Sequence, residues 1–206
     1  MTEYKPSAAT PKRVRNAEKT KANIIAAAQT LFSQRGYAQT GLRDIAKAAD
    51  VSLALPARYF ESKAGLFEAA LKDALGLQGI LSADKHSFGR NLVQAVLDPT
   101  MPITMPAMIS LAIGDDEAAA VAREFTKQHI LEPIAKWLGR PHGRARAYVI
   151  LMISTGFVIY NRHIILDASH PSRSKVGAWL ENTVQEIVDG SEEALSAFLR
   201  QRGRQN

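Results

Sequence analysis

Two arginines in the first third of the chain, Arg43 and Arg58, have the side chain best suited to reading nucleic-acid bases. A guanidinium is a planar fork of donors that matches O6 and N7 of guanine, a contact worth ~1–3 kcal/mol of discrimination between bases. Leu53 and Leu55 lie between them and suit either the methyl group of thymine or a protein core. Lys63 follows Ser62, a residue type that caps helices, and so stands beside a helix N-terminus, where free N–H groups attract phosphate. Each of these residues also has a plainer reading. The charges fit solvated surface groups or partners for Asp44 and Glu61, and the leucines fit ordinary core.

Other chemistries find little support. The chain has no cysteine, which excludes disulfides and thiolate metal sites. The histidines, at 86, 129, 142, 163 and 170, lack zinc-site spacing. No nucleophile elbow, P-loop or dinucleotide fingerprint occurs, so neither a metal nor a cofactor is expected, nor an enzyme. Charge is unevenly divided: residues 1–75 hold 12 Lys and Arg against 7 Asp and Glu, while residues 76–206 hold 14 against 13. Such asymmetry suits a partner carrying phosphates, although a basic tail without a partner would produce it too. The apolar run from Ala147 ends at Asn161-Arg162-His163, short of the ~20 residues a membrane span needs. The N-terminus has no apolar signal region. A cytoplasmic protein with no membrane partner is the expectation.

These candidates need elements to hold them. Residues 1–15 read as a flexible basic arm, in which Lys12, Arg13 and Arg15 suit a minor groove or plain solvent. From Asn16 the pattern is helical: Ile24, Ala28, Leu31 and Phe32 share one face, and Gly36 stands at a C-terminal stop. Short helices are expected over Leu42–Ala49 and Leu53–Phe60, followed by a longer one capped by Ser62. Between the short pair, Asp50 suits a left-handed turn, and Ala46 is small enough for close packing. Pro56 is awkward in such a helix and favours a late start, near Leu55. Further helices are expected near 88–97, 106–113, 115–138, 142–166, 172–189 and 191–202, with Asp115 and Ser191 as caps. Glu132-Pro133 should kink the long helix near Gln128-His129, and such a kink would open a cavity. The fold class is all-α: an N-terminal helix-turn-helix domain over 16–75, then a helical domain over 76–206.

Across residues 20–75 the chain resembles the tetracycline-repressor (TetR) family. The matching string is Ile25-Ala26-Ala27-Ala28, Leu31-Phe32, Gly36-Tyr37, Thr40, Arg43-Asp44-Ile45-Ala46 and Ala48-Ala49-Asp50-Val51-Ser52. It continues through Tyr59-Phe60 and Ser62-Lys63-Ala64-Gly65-Leu66-Phe67. The resemblance implies a DNA-binding transcriptional regulator in which Thr40, Tyr59 and Lys63 match positions that anchor phosphates. Tyr59 also fits a place in the core beside Phe60. The chain departs from the family at Gly41, Asp50, Pro56 and Ala57, where Thr, Gly, Leu or Ile, and Tyr are usual. Ala57 therefore lacks the hydroxyl of a phosphate-contacting tyrosine.

The remaining two-thirds resembles the family's ligand-binding and dimerisation domain more loosely, best from Gly114 to Gly139. What this implies is a homodimer on a palindromic double-stranded operator, a repressor released by a small, mainly apolar effector. Met105, Met108, Phe125, His129, Tyr148 and Met152 are the candidate pocket residues; such side chains are more often plain core, and His129 also suits a backbone partner. Val176, Trp179, Leu180, Thr183, Val184 and Ile187 form one amphipathic stripe and are the candidate dimer interface, with an intrachain helix pair as the alternative. Two further functions compete: a ligand-independent architectural DNA-binding protein, and an enzyme using the helical-domain pocket.

Overall fold

The computed structural model describes residues 11–75, 84–165 and 172–190. Among these every regular element is a helix, and no strand occurs. The first unit comprises α1 (Pro11–Arg35), α2 (Leu42–Ala48), α3 (Ala54–Phe60) and α4 (Lys63–Asp73). The second comprises α5 (Phe88–Leu97), α6 (Met105–Leu111), α7 (Asp116–Thr126), α8 (Glu132–Leu138), α9 (Gly143–Val158) and α10 (Ser172–Asp189). Because α1 begins at Pro11, residues 11–15 of the expected flexible arm are helical. The helix expected over 191–202, with its Ser191 cap, lies outside the described residues.

The first unit closes around Ile24, Ala28, Leu31 and Phe32 of α1, Ile45 and Ala46 of α2, and Leu66, Phe67, Ala70 and Leu71 of α4, all buried. Phe32, Tyr37 and Phe67 form an aromatic triad with centroids 5.1–5.7 Å apart, adding edge-to-face contacts to simple area burial. Ser62 Oγ accepts from the Gly65 amide at 3.0 Å, and Asp115 Oδ1 from that of Ala118 at 3.0 Å, so both expected caps form.

The two units share one continuous core, since α1 packs on α6 and α4 on α7. At this junction Gly36 has φ +78, and both the Cβ and the carbonyl oxygen of Leu111 would lie 3.4 Å from a Cβ placed on it. Glycine meets both demands, the left-handed backbone and the close approach.

Pro133 is accommodated upstream of itself. The turn Lys127–Leu131 is π-helical, placing the missing proline donor where the ladder has already changed register. A second π turn, Ile159–His163, ends α9. Helices α5 and α10 run antiparallel and so close together that a Cβ on Gly89 would meet the Glu181 carbonyl oxygen at 2.2 Å.

Two arginines, one in the first turn of α9 and one in the π turn that follows it, hold this second unit together. Arg146, buried, donates to the carbonyls of Ile187 at 2.7 Å, Val188 at 2.5 Å and Pro141 at 3.2 Å. The carbonyls at a helix C-terminus have no partner within the helix, and this guanidinium supplies one to the last turn of α10. Burial lowers its pKa, opposed by the nearby Asp189. At the other end Arg162 donates to Val96 O at 3.2 Å, Asp98 O at 2.6 Å and Met101 O, closing the end of α5.

Candidate nucleic-acid interface

Helices α2 and α3 form a helix-turn-helix with a tight connection. Asp50 has φ 52, the left-handed geometry expected of it, and the Val51 amide donates back to Ala46 O at 3.0 Å. Ala46 is fully buried at the contact. A glycine would relieve the Cβ crowding at position 50, so Asp50→Gly is expected to raise stability by up to about 1 kcal/mol. Urea unfolding would show this as a higher midpoint. A lower midpoint would mean that the carboxylate supports the turn.

Pro56 is the third residue of α3, and it is fully buried. The helix opens with the Leu55 amide donating to Ser52 O at 3.0 Å, and a proline nitrogen in the first turn forfeits no established bond. The helix therefore starts at Ala54, slightly earlier than the proline suggested.

The expected contact residues divide into three groups. Arg43 and Arg58 are exposed on consecutive helices, and among the described residues neither takes part in a salt bridge. Asp44, one proposed clamp for Arg43, instead accepts from the Gly41 amide at 3.0 Å. Leu53 is 59% exposed, whereas Leu55 packs on the core. Tyr59 and Lys63 are half-buried. The Tyr59 ring lies edge-on to Phe60, with the Lys21 ammonium 5.6 Å from its centroid. Thr40 is turned inward, 1% exposed, its hydroxyl donating to Gly36 O at 2.8 Å. That hydroxyl serves the fold and does not face a phosphate here.

A polar connection across the junction was not foreseen from sequence. The Lys63 ammonium rests 3.9 Å above the Tyr37 ring centroid, and Tyr37 Oη donates to Glu117 Oε2 of α7 at 2.5 Å. Burial, then the bond to Glu117, push the phenol pKa well above its ordinary value. Gly36-Tyr37 was visible as a motif, but its partner lies 80 residues away.

In the second unit the candidate pocket residues separate. Met108 and Phe125 are buried core, Met105 is packed against that core, and the His129 ring lies tilted against Phe125 with centroids 4.8 Å apart. Tyr148 and Met152 face outward from α9, 54% and 56% exposed, along an open groove with His142, Ala145 and Val149. They do not join the other four, because they stand on the outer side of the helix. The stripe on α10 also divides. Leu180, Val184 and Val188 are buried against the rest of the chain, while Trp179 is 60% exposed and Val176 is exposed beside it. Thr183 and Ile187 are intermediate. Two hydroxyls near the interior, Thr126 Oγ1 and Ser154 Oγ, are buried without a hydrogen-bond partner. Among the described residues no group of three His, Asp or Glu side chains is placed to hold a metal. No described helix is long and apolar enough to cross a membrane.

Comparison with known proteins agrees with this geometry. A 49-residue stretch is 49% identical to a probable HTH-type transcriptional regulator, YttP, of Bacillus subtilis (strain 168), covering 24% of this chain and 24% of that one. The match thus spans about a quarter of the relative's length. Among solved structures, NalD of Pseudomonas aeruginosa, the secondary repressor of the MexAB-OprM multidrug efflux pump, is 20% identical with a TM-score of 0.59. That alignment covers 82% of this chain and 95% of NalD. A TetR-family transcriptional regulator from Agrobacterium tumefaciens is 17% identical with a TM-score of 0.60, covering 81% and 98%. At these identities the likeness is one of fold. Residues 24–70 match the family model for bacterial regulatory proteins, tetR family, and residues 86–188 match that for the tetracyclin repressor-like C-terminal domain. With both domain models matched in order along most of its length, the chain belongs to the tetR family of bacterial regulatory proteins.

Proposed function

We propose that the protein is a sequence-specific DNA-binding repressor that acts as a homodimer on a palindromic operator and is released by a small, mainly apolar ligand. The observation that carries this reading is the pair Arg43 and Arg58, exposed on the two helices of the helix-turn-helix and engaged in no salt bridge among the described residues. In a helix-turn-helix the second helix enters the major groove, and arginine forks are the commonest specific base contacts. Lys63, at the start of α4 above Tyr37, is the phosphate contact in this reading.

The dimer is supported by the outward faces of α9 and α10. Tyr148, Met152, Val176 and Trp179 are each 47–60% exposed, an apolar surface of the kind that marks an interface. A two-fold assembly would present two α3 helices to two half-sites. Ligand release is supported by the unpartnered hydroxyls of Thr126 and Ser154, since buried polar groups normally have partners and an entering molecule would provide them. An effector acts only if it binds the released state more tightly than the DNA-bound state.

The test is titration of a sequence selected from random DNA, alongside unrelated DNA, at several salt concentrations. Arg43→Ala is expected to weaken the selected site far more than random DNA. Lys63→Ala should weaken both equally and flatten the salt slope by about one per subunit. Equal losses from the two substitutions would remove Arg43 as a base reader. Recovery of no preferred sequence would overturn specific binding and favour the architectural alternative.

A further inference from the structure

The outward surface of α3 is short of hydrogen-bonding groups. The exposed residues from Ser52 to Glu61 are Ser52, Leu53, Ala54, Ala57, Arg58 and Glu61. Leu53 immediately precedes α3 and leaves 59% of its surface in solvent, although Leu55, two residues on, is taken into the core packing. The fold thus has a use for the second leucine and none for the first. Residues at the N-terminal end of a recognition helix are the ones that reach base edges. In the major groove those edges carry donors and acceptors, and the 5-methyl of thymine is the apolar group. A leucine set against the N4 amine of cytosine or O6 of guanine would strip water from a polar group and offer no partner, which is unfavourable. Set against a methyl, it buries apolar surface on both sides.

Resting on the reading of α3 as the recognition helix, we propose that Leu53 is a specificity-determining residue that packs on a thymine methyl in each half-site, with Ala54 and Ala57 small enough to permit the approach. Arg58 then supplies a polar contact from the same helix, and the preferred half-site contains thymine at the position facing Leu53.

The experiment replaces each thymine of the selected operator singly with deoxyuridine, which removes the methyl and keeps the base pairing. At the position facing Leu53 the expected loss is about fourfold, the factor equivalent to ~0.8 kcal/mol per buried methyl. It becomes about sixteenfold when both half-sites are changed. Leu53→Ala, at an exposed position, is expected to melt like the parent chain and to bind thymine and deoxyuridine operators equally. The inference is overturned if no deoxyuridine position changes affinity, or if the loss persists undiminished in Leu53→Ala. Failure to select any DNA sequence would instead overturn the reading of α3 on which the inference rests, so the two failures are distinguishable.

Discussion

Trp179→Glu is expected to leave a folded monomer that binds a two-half-site operator about 10²–10⁴-fold more weakly than the unsubstituted chain. The side chain is 60% exposed on the outer face of α10, so a carboxylate there meets water in the free subunit and costs the fold little. In the proposed dimer the same carboxylate would be buried without a partner, at several kcal/mol. With the dimer lost, the second half-site no longer binds as an intramolecular event, and the avidity factor goes with it. Light scattering for mass, circular dichroism for fold and operator titration together check the result. Val184→Glu, five residues further along the same helix, should behave differently. Val184 is fully buried within the subunit, and the substituted chain is expected to unfold or aggregate. A Trp179→Glu protein with unchanged mass would show that this face is not the interface.

Arg146→Met is expected to cost about 3–5 kcal/mol of stability. The guanidinium holds three backbone carbonyls, two of them in the last turn of α10. Hydrogen bonds to a charged donor contribute ~1.5–3 kcal/mol each, and removing a buried guanidinium relieves its desolvation cost, which offsets part of their sum. Methionine fills much of the same volume but offers no donor. The loss is comparable with a large part of the ~5–15 kcal/mol that stabilises a typical domain. Urea unfolding at fixed protein concentration should show a lower midpoint with an unchanged slope, and Arg146→Lys, with charge but no fork, should fall between. A loss below about 1 kcal/mol for Arg146→Met would show that the carbonyls find other partners.

What was legible in the sequence followed from local chemistry. Asp50 sits where a left-handed residue was required, Ser62 and Asp115 cap the helices they precede, and the ladder changes register just before Pro133. Each of these depends on neighbours within a few residues. The stripe on α10 shows where local reasoning stops. Periodicity placed Val176, Trp179, Leu180, Thr183 and Val184 on one broad side, but it says nothing about whether the covering surface belongs to the same chain. The answer is divided, with Leu180 and Val184 covered by the chain and Trp179 and Val176 left exposed. For Thr40 the family resemblance implies a phosphate contact, yet the hydroxyl turns inward to the Gly36 carbonyl. Arg146 bonding across 41 residues and Tyr37 across 80 leave no period to read. An arginine on the buried side of an apolar helix was the available signal for the first.

The arginines in the first turn of α9 and in the π turn that follows it bear on how this subunit is able to move. They stand sixteen residues apart, about 24 Å along the axis, and each grips the backbone of a different neighbour. Mechanically, α9 is a strut pinned at both ends. Sliding it past α10 tears away the Arg146 bonds, and shifting it along α5 tears away those of Arg162. Axial shear, one of the two common modes of domain rearrangement, would therefore have to break bonds at both ends of the helix. A motion that keeps both sets of bonds carries α5, α9 and α10 together as one body.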